Sequence, residues 1–128
     1  MTSVESERLA KEIFNTDPQI MHLGLMDLEG NVLLDQSSAA SAPMEPDPDR
    51  IEFYHQLDVR RSAREHFDEA YGKTDYVQII REKMQQVILY LPKITIYLTL
   101  EKSMTPDEVK AATQKIKFLD SDILKSGI

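Results

Sequence analysis

Three apolar segments follow one another near the end of the sequence with only two residues between neighbours, and this spacing constrains the fold more than any other feature. The segments are 76–81, 84–91 and 94–100, and they are joined by Glu82-Lys83 and Pro92-Lys93. Each connection is short enough for a two-residue β-hairpin, although neither has a favoured type I′ or II′ sequence. The spacing therefore predicts three consecutive antiparallel strands.

A further hairpin is predicted over residues 19–36. Apolar side chains at 21, 23 and 25 alternate with their neighbours, which is typical of a strand, and a second short apolar run begins at Val32. Between the two runs, Gly30 and Asn31 close a turn over 27–31, because both residue types tolerate positive φ.

Helices are predicted at both ends of the sequence. In the first, over residues 3–15, Thr2 and Glu5 have the spacing of a capping box. The last helix lies within 103–119. It begins with Thr105, Pro106 and Glu108, which combine an N-cap, a proline in the first turn and a capping-box glutamate.

The middle of the chain predicts a loop followed by a long helix. Residues 37–49 combine small residues, three prolines and three acids, which is the composition of a flexible acidic surface loop. Residues 50–71 return to helical period, and Gly72 is a natural residue to end that helix. Most of the apolar residues of this helix fall along one side: Phe53, Leu57, Ala63, Phe67, Ala70 and Tyr71.

These elements occur in the order α-ββ-α-βββ-α. A chain of 128 residues is expected to form one domain. We therefore predict a single α/β (α+β sandwich) domain with a central five-stranded antiparallel sheet and helices on both faces. The helix at 50–71 is expected on one face, and the helices at 3–15 and 103–119 on the other.

Composition and charge exclude several functions. The sequence has no cysteine, so disulfides, thiolate zinc sites and cysteine nucleophiles are excluded. Its net charge of −7 argues against nucleic acid and anionic membranes as partners. No secretory signal or membrane-spanning run is present, so a cytoplasmic protein is expected. The negative charge is local, because residues 27–58 contain eight acids and one base and the remainder is neutral.

Local sequence patterns resemble a known group of small α/β proteins. The stretches DPQIMHLGLMDLEGNVL, HQLDVRRSAREHFDEAYGKTDYVQIIREKMQQVILYLP and ITIYLTLEK are similar to small uncharacterised archaeal proteins of the roadblock/LC7, longin and profilin-like type. The shared features are a GxxDxxG hairpin at Gly24, Asp27 and Gly30, a basic helix, and an REK turn at 81–83. The resemblance covers about residues 17–118.

The resemblance implies a role without catalysis. Roadblock proteins are expected to form homodimers or heterodimers that act as platforms for small GTPases or motors. We therefore expect a regulatory or scaffolding domain that dimerises through the helix at 50–71 and the strand at 76–81, with no cofactor. An alternative is a profilin-like or PAS-like domain that senses a small ligand in a pocket between the sheet and that helix.

An arginine cluster is the most specific candidate site. Arg60, Arg61 and Arg64 are three and four residues apart on the predicted helix, so they are expected to share a face. Guanidinium groups suit an anion or an acidic partner. Alternatively, these residues form local ion pairs, since Glu65 and Asp68 lie four residues after Arg61 and Arg64.

Aromatic residues form the second candidate site. Tyr76, Tyr90 and Tyr97 lie on three successive predicted strands, and a cluster of them on one sheet face, together with Phe67, could line an interface or a ligand pocket. Alternatively, the tyrosines reflect only strand propensity and cross-strand packing.

The remaining polar residues predict no metal site and no catalytic group. The histidines at 22, 55 and 66 lack the spacing of metal ligands. Asp27 and Glu29 lie in a predicted turn, where aspartate usually accepts hydrogen bonds from turn amides. Asp47 and Asp49 lie between prolines in a loop that cannot hold catalytic geometry.

Overall fold

A computed structural model describes residues 4–39 and 48–119 of the chain. Within these residues the elements follow the predicted order, with one additional short helix. They are α1 (Val4–Phe14), β1 (Ile20–Met26), β2 (Val32–Ser37), α2 (Pro48–Glu65), α3 (Asp68–Tyr71), β3 (Tyr76–Ile80), β4 (Met84–Tyr90), β5 (Thr95–Glu101) and α4 (Pro106–Lys117). The predicted element order is thus confirmed.

All five strands belong to one antiparallel sheet with the order β2-β1-β5-β4-β3. Both two-residue turns form where the spacing predicted them. The amide of Arg81 donates to the carbonyl of Met84 (2.9 Å), and the amide of Leu91 donates to the carbonyl of Ile94 (3.0 Å). The sheet ends at β2 on one side and at β3 on the other, so these two strands are its edges.

The helices cover the two faces of the sheet as predicted. On one face α1 and α4 bury Leu9, Ile13 and Ile116 against the large hydrophobic cluster of the sheet. On the opposite face α2 buries Tyr54 and Leu57 in a second, smaller cluster. The protein is therefore an α+β sandwich whose two layers of helix differ in how much apolar surface they bury.

The helix predicted over 50–71 is interrupted. Helix α2 ends at Glu65, and the separate single turn α3 follows after His66 and Phe67. The amide of Phe67 donates to the carbonyl of Arg64, three residues earlier, and this bond ends the α-helical ladder. Histidine, phenylalanine and tyrosine also have weaker helix propensities than alanine or leucine.

The buried side of α2 differs from the predicted apolar side. Six apolar residues were predicted to fall along one side of this helix. Leu57 is buried and Phe53 is half-buried, whereas the four at positions 63, 67, 70 and 71 are exposed. The buried side chains of α2 are Tyr54, Leu57 and Arg61, and of these only Leu57 belongs to the predicted apolar side. An arginine therefore occupies a position that the hydrophobic pattern assigns to an apolar residue.

The structure describes only part of the predicted first helix and of the predicted loop at 37–49. Ser37 closes β2 and Pro48 opens α2, so the segment between them is shorter than the predicted loop at 37–49. Residues 40–47, with Asp47, lie outside the described residues, as does Thr2 of the predicted first capping box. The second capping box is confirmed, since Thr105 and Glu108 exchange hydrogen bonds of 2.9 and 3.2 Å at the start of α4.

Each of the three residues that define the GxxDxxG hairpin, namely Gly24, Asp27 and Gly30, has a structural role. Asp27 Oδ1 accepts hydrogen bonds from the amides of Glu29 and Asn31, each 2.9 Å long. Gly30 adopts a φ of 86°, which favours glycine. Gly24 lies against the ring of Tyr54, where a side chain would collide with the tyrosine. The motif therefore shapes the hairpin and lets α2 approach the sheet closely.

Candidate functional site on the α2 side of the sheet

Arg61 fastens α2 to the turn between β4 and β5. Its Nη1 donates to the carbonyl of Ile94 and to the hydroxyl of Thr95, both at 2.9 Å, and its Nη2 donates to the carbonyl of Leu91. The residue is only 7% exposed, and burial lowers the pKa of its guanidinium whereas nearby Glu65 opposes that shift. These bonds occupy most of the donors of Arg61, so its main role is structural.

Arg64 lies beside Arg61 over the ring of Tyr90. Its Nη1 donates to the Tyr90 hydroxyl at 2.7 Å. The guanidinium carbons of Arg61 and Arg64 lie 5.0 and 6.0 Å from the centre of the same ring, which is a favourable cation–π geometry. Tyr90 of β4 therefore contacts two arginines in the second half of α2.

The three predicted arginines do not share one face. Arg61 is buried, Arg64 is half-buried, and Arg60 is exposed. Of the predicted local ion pairs, Arg61 and Glu65 approach to 3.7 Å, but none links Arg64 to Asp68 among the described residues. Consecutive helical positions differ by about 100°, which explains why Arg60 is separated from Arg61. Arg60 is thus the member of the cluster that is exposed.

Tyr97 belongs to a buried aromatic and polar network beneath α2. Its ring makes edge contacts with Phe53 and Tyr54, with centroids 4.8 and 6.1 Å apart. Its hydroxyl accepts hydrogen bonds from Gln86 Nε2 (2.8 Å) and Thr99 Oγ1 (3.0 Å). Burial, together with neighbouring Tyr97, raises the pKa of Tyr54 well above its usual range. Tyr97 thus lies inside the protein.

The expectation that the three tyrosines share one sheet face is wrong for Tyr76. Tyr76 pairs with Leu89 and packs against the cluster on the α1 and α4 side. Tyr90 and Tyr97 belong to the α2 side. The two-residue turn at 82–83 sets this pairing, and because Tyr90 is the neighbour of Leu89 along β4, Tyr76 and Tyr90 point to opposite faces. The turn length could have revealed this arrangement in the sequence.

Sequence reasoning missed a row of polar side chains across the α2 side of the sheet. The register aligns Gln86 with Thr99, Thr99 with His22, and His22 with Ser37, on four neighbouring strands. Gln86 and Thr99 are each 4% exposed. At one end Arg81 Nε donates to Gln86 at 2.6 Å, and at the other His22 Nδ1 lies 2.8 Å from Ser37 Oγ. Hydroxyl-bearing residues at every second position of β5 were the available signal in the sequence.

An ion pair joins the start of α2 to the edge strand β2. Arg50 pairs with Asp35, and their side chains are 20% and 23% exposed. The pKa of the nearby His22 imidazole is lowered by burial and by the positive charge of Arg50. The first half of α2 is therefore held over β1 and β2, whereas Arg61 and Arg64 hold its second half over β4 and β5.

A small pocket opens between the end of α2 and the turn after β4. Its volume is about 230 Å³. Side chains of both charges line it, including Arg61, Glu65, Asp68 and Lys93, and Tyr90 forms one wall. Because Arg61 is already hydrogen-bonded to the turn, the pocket offers few free buried polar groups to a ligand.

An apolar strip remains incompletely covered between α2 and the edge strand β3. Val77 and Ile79 of β3 pack against the same cluster as Phe53 of α2, yet all three side chains stay half-buried. Ile80, at the end of β3, is 66% exposed. On the outer side of α2, Ile51 and Val59 are 75% and 47% exposed and lie eight residues apart along one helix face.

Phe67 lies beyond the end of α2, away from the tyrosines of the sheet. It is 52% exposed and stacks on Tyr71, which is 83% exposed. The structure therefore brings Phe67 together with Tyr71 and His66, and not with Tyr76, Tyr90 or Tyr97.

Two further classes of site are absent from residues 4–39 and 48–119. No group of three or more histidine, aspartate or glutamate side chains there could hold a metal ion. No helix in that part of the chain has the length and apolar character needed to cross a membrane.

Comparison with solved structures relates this fold to roadblock/LC7 proteins. MglB in a tetrameric arrangement superimposes with a TM-score of 0.76 at 13% identity, covering 100% of this chain and 96% of that one. The gliding protein MglB from Thermus thermophilus gives 0.71 at 13% identity, covering 91% and 87%. A roadblock/LC7 domain from Streptomyces avermitilis gives 0.58 at 10% identity, covering 85% of this chain and 86% of that one.

At such low identities the similarity shows the fold and not a shared partner. No family model matches the sequence, and a search of curated proteins also gives no match. The similarity to solved structures alone thus shows that the fold is of the roadblock/LC7 type, as the sequence patterns predicted.

Proposed function

We propose that this chain, which has the roadblock/LC7 type of fold, is a non-enzymatic regulatory or scaffolding domain that forms homodimers and acts through protein–protein contacts. The observation that carries the proposal is the half-covered strip of Phe53, Val77 and Ile79 beside a free edge strand. Edge strands offer unpaired backbone groups to another strand, and exposed apolar patches mark interaction surfaces.

A second copy of the chain would complete this strip. Two β3 strands related by a two-fold axis can pair edge to edge, and each copy then brings its own α2 over the junction. Phe53 of α2 lies against Val77 and Ile79 of β3 in this strip, so both a helix and the edge strand of each copy would contribute to the contact. The arrangement buries the side chains that a monomer leaves half-exposed.

The dimer would act as a platform for a protein partner, such as a small GTPase or another signalling protein in the cytoplasm. The sequence resemblance suggests this class of partner. Exposed Arg60 is the arginine of the cluster that remains available to an acidic partner surface, since Arg61 and Arg64 contact the sheet. The overall negative charge of the chain makes nucleic acid and membranes poor partners.

Dimerisation is tested by measuring molar mass with light scattering during size-exclusion chromatography. We expect the wild type to be a dimer at micromolar concentration. Val77→Lys and Ile79→Lys place a charge in the half-covered strip and should each weaken the dimer by about tenfold or more. Phe118→Lys is the matched control, because Phe118 is 85% exposed on the opposite side of the sheet, just after α4.

A wild type that remains a monomer at high micromolar concentration would remove the support for this proposal. Equal weakening by Phe118→Lys would show that the substitutions act through general surface charge. Thermal unfolding of all three variants, measured in parallel, checks that each is folded.

Ligand sensing is the second candidate function, and its site would be the pocket beside Arg61. Its volume of about 230 Å³ lies below the roughly 300 Å³ at which small-molecule pockets usually begin. A thermal-shift screen of small polar metabolites provides the test. Sensing requires a hit that disappears when Lys93 at the pocket rim is replaced by glutamate.

A further inference from the structure

The first half of α2 rests on a polar cluster that three elements share. The cluster contains Arg50 from the first turn of α2, His22 from β1, and Asp35 and Ser37 from the edge strand β2. Arg50 and Asp35 form an ion pair, and His22 Nδ1 lies 2.8 Å from the Ser37 hydroxyl oxygen. Because Asp35 and Ser37 are two residues apart on one strand, both side chains point to the face that α2 covers.

The charges around His22 oppose its protonation. The titratable and charged side chains of the described residues that neighbour His22 come from α2, β2 and β5, and they are Arg50, Tyr54, Asp35, Tyr97 and Glu101. The two phenols are uncharged at neutral pH, Asp35 is already paired with Arg50, and Glu101 is exposed at the end of β5. Burial, and after it the positive charge of Arg50, lowers the pKa of the His22 imidazole. Arg50 is therefore the charge that a proton on His22 would meet.

The two halves of α2 are attached to the sheet in different ways. Hydrogen bonds from Arg61 fix the second half to the turn between β4 and β5, and they involve no group that titrates near neutral pH. The first half packs through Phe53 and Tyr54 in the smaller hydrophobic cluster, and Arg50 joins it to the edge strand β2. Opening of the first half alone therefore exposes far less apolar surface than unfolding of the whole domain.

We propose that protonation of His22 detaches the first half of α2 from the sheet while Arg61 keeps the second half attached. Detachment moves Arg50 away and exposes the imidazole to water, so the open state binds a proton more tightly than the closed state. By linkage, acid then increases the population of the open state. The change begins as the pH falls below 6.5, the ordinary pKa of histidine.

Detachment would regulate the homodimer proposed above, and this consequence alone rests on that proposal. Phe53, in the first half of α2, packs with Val77 and Ile79 in the half-covered strip. When the first half detaches, the strip loses its helical side and only β3 remains to meet a second copy. Acid should therefore weaken the dimer, whereas the detachment itself does not require a dimer.

Detachment is tested by amide hydrogen exchange of the full chain, followed by NMR at about pH 7.5 and about pH 5.5. A detached segment of this length is not stable as a helix in water, so its amides exchange. Protection factors remove the direct effect of pH on the chemical exchange rate. In the wild type the protection of residues 52–57 should fall about fivefold at the lower pH, and that of residues 62–65 should change by less than about twofold.

Three variants identify the source of the pH effect. His22→Gln keeps a neutral polar side chain beside Ser37 and should lose the difference between the two pH values. His55→Gln is the matched control and should keep that difference, because His55 is an exposed histidine on the measured half of α2. Arg50→Gln removes the charge that opposes the proton, so it should lower the protection of residues 52–57 at both pH values and make the difference smaller.

An equal fall in protection in both halves of α2, or no fall in the wild type, would overturn the proposal. So would a difference that persists in His22→Gln or remains undiminished in Arg50→Gln. Light scattering of the wild type at the same two pH values gives a separate result. A monomer at both values would contradict the homodimer, and the exchange data would still decide whether His22 releases α2.

Discussion

The hydroxyl of Tyr54 occupies the space that a side chain at Gly24 would need. A Cβ at position 24 would lie 2.1 Å from the Tyr54 hydroxyl oxygen and 2.7 Å from the Cε1 of its ring. Gly24 lies in the central part of β1, and Tyr54 is one of the buried side chains of α2. The absence of a side chain at one position of β1 thus sets how closely α2 approaches the sheet.

Replacing Gly24 with alanine should destabilise the protein. The new methyl group forces Tyr54 or the whole of α2 to move, and overpacking of this kind costs about 1–3 kcal/mol. The free energy of unfolding, measured by urea denaturation, provides the test.

Two variants separate this collision from a general effect of alanine. Tyr54→Phe in the Gly24→Ala background removes the nearest atom and should restore part of the lost stability, since the ring carbons still lie close. Gly72→Ala meets no atom within 4 Å but has a φ of 84°, so it reports backbone strain alone. If Tyr54→Phe gives no recovery, Gly24 does not control the approach of α2.

Arg61 should be essential for the attachment of α2. Arg61→Ala removes the donors to the carbonyls of Leu91 and Ile94 and to the Thr95 hydroxyl. Buried acceptors left without partners are costly, so we expect a loss of about 3 kcal/mol in the free energy of unfolding. Arg61→Lys should recover less than half of it, because a single ammonium cannot reproduce the planar fork.

Exposed Arg60 provides the matched control for Arg61. Arg60→Ala should change the free energy of unfolding by less than about 0.5 kcal/mol, because Arg60 is exposed and has no ion-pair partner among the described residues. Equal losses for the Arg60 and Arg61 variants would contradict the structural role assigned to Arg61. Hydrogen exchange of the β4–β5 turn should accelerate in the Arg61 variant alone.

His22 should make the protein less stable in mildly acidic solution. Burial and Arg50 lower the pKa of its imidazole below the ordinary value of 6.5, so the unfolded chain takes up a proton more readily than the folded one. The contribution of His22 is therefore fully present above pH 6.5 and is lost as the pH falls through the lowered pKa of the folded state.

Thermal unfolding across this pH range checks the role of His22. His22→Gln should remove the corresponding pH dependence. His55→Gln should leave it unchanged, since His55 is an exposed residue on α2. An identical pH profile for the wild type and His22→Gln would rule out His22 as its source.

The capping box of α4 should weaken in acid. The pKa of Glu108 is lowered chiefly by the hydrogen bond from the Thr105 amide, and further by the Thr105 side chain and by Gln19. The stabilising effect of Glu108 is fully present above the ordinary pKa of 4.5. It declines as the pH falls through the lowered pKa of the folded state.

Glu108→Gln keeps an oxygen that can accept the Thr105 amide but cannot be protonated in this range, so it should flatten the acid limb of the thermal stability profile. Asp107→Asn is the control, because Asp107 lies outside the capping box. A steeper acid limb in Glu108→Gln than in the wild type would be the opposite of the expected result.

Local patterns predicted most of the fold correctly. The two-residue spacings at 82–83 and 92–93 predicted the meander, and the Thr105–Glu108 box predicted the start of α4. Both signals act over a few residues, where backbone geometry and nearby hydrogen bonds leave few alternatives. The hydrophobic pattern predicted the buried side of α2 less well, because that side contains the polar groups of Arg61 and Tyr54.

The sequence by itself determined the order of the elements, the antiparallel pairing of the strands and the faces that α1, α2 and α4 cover, because periodicity, turn length and capping are local properties. Only the tertiary structure decided the roles of the candidate residues. Arg61 became an internal anchor that binds the turn between β4 and β5, and Tyr97 was buried against Phe53 and Tyr54 of α2. These outcomes depend on contacts between residues distant in the chain, whose geometry exists only when helix and sheet are packed together.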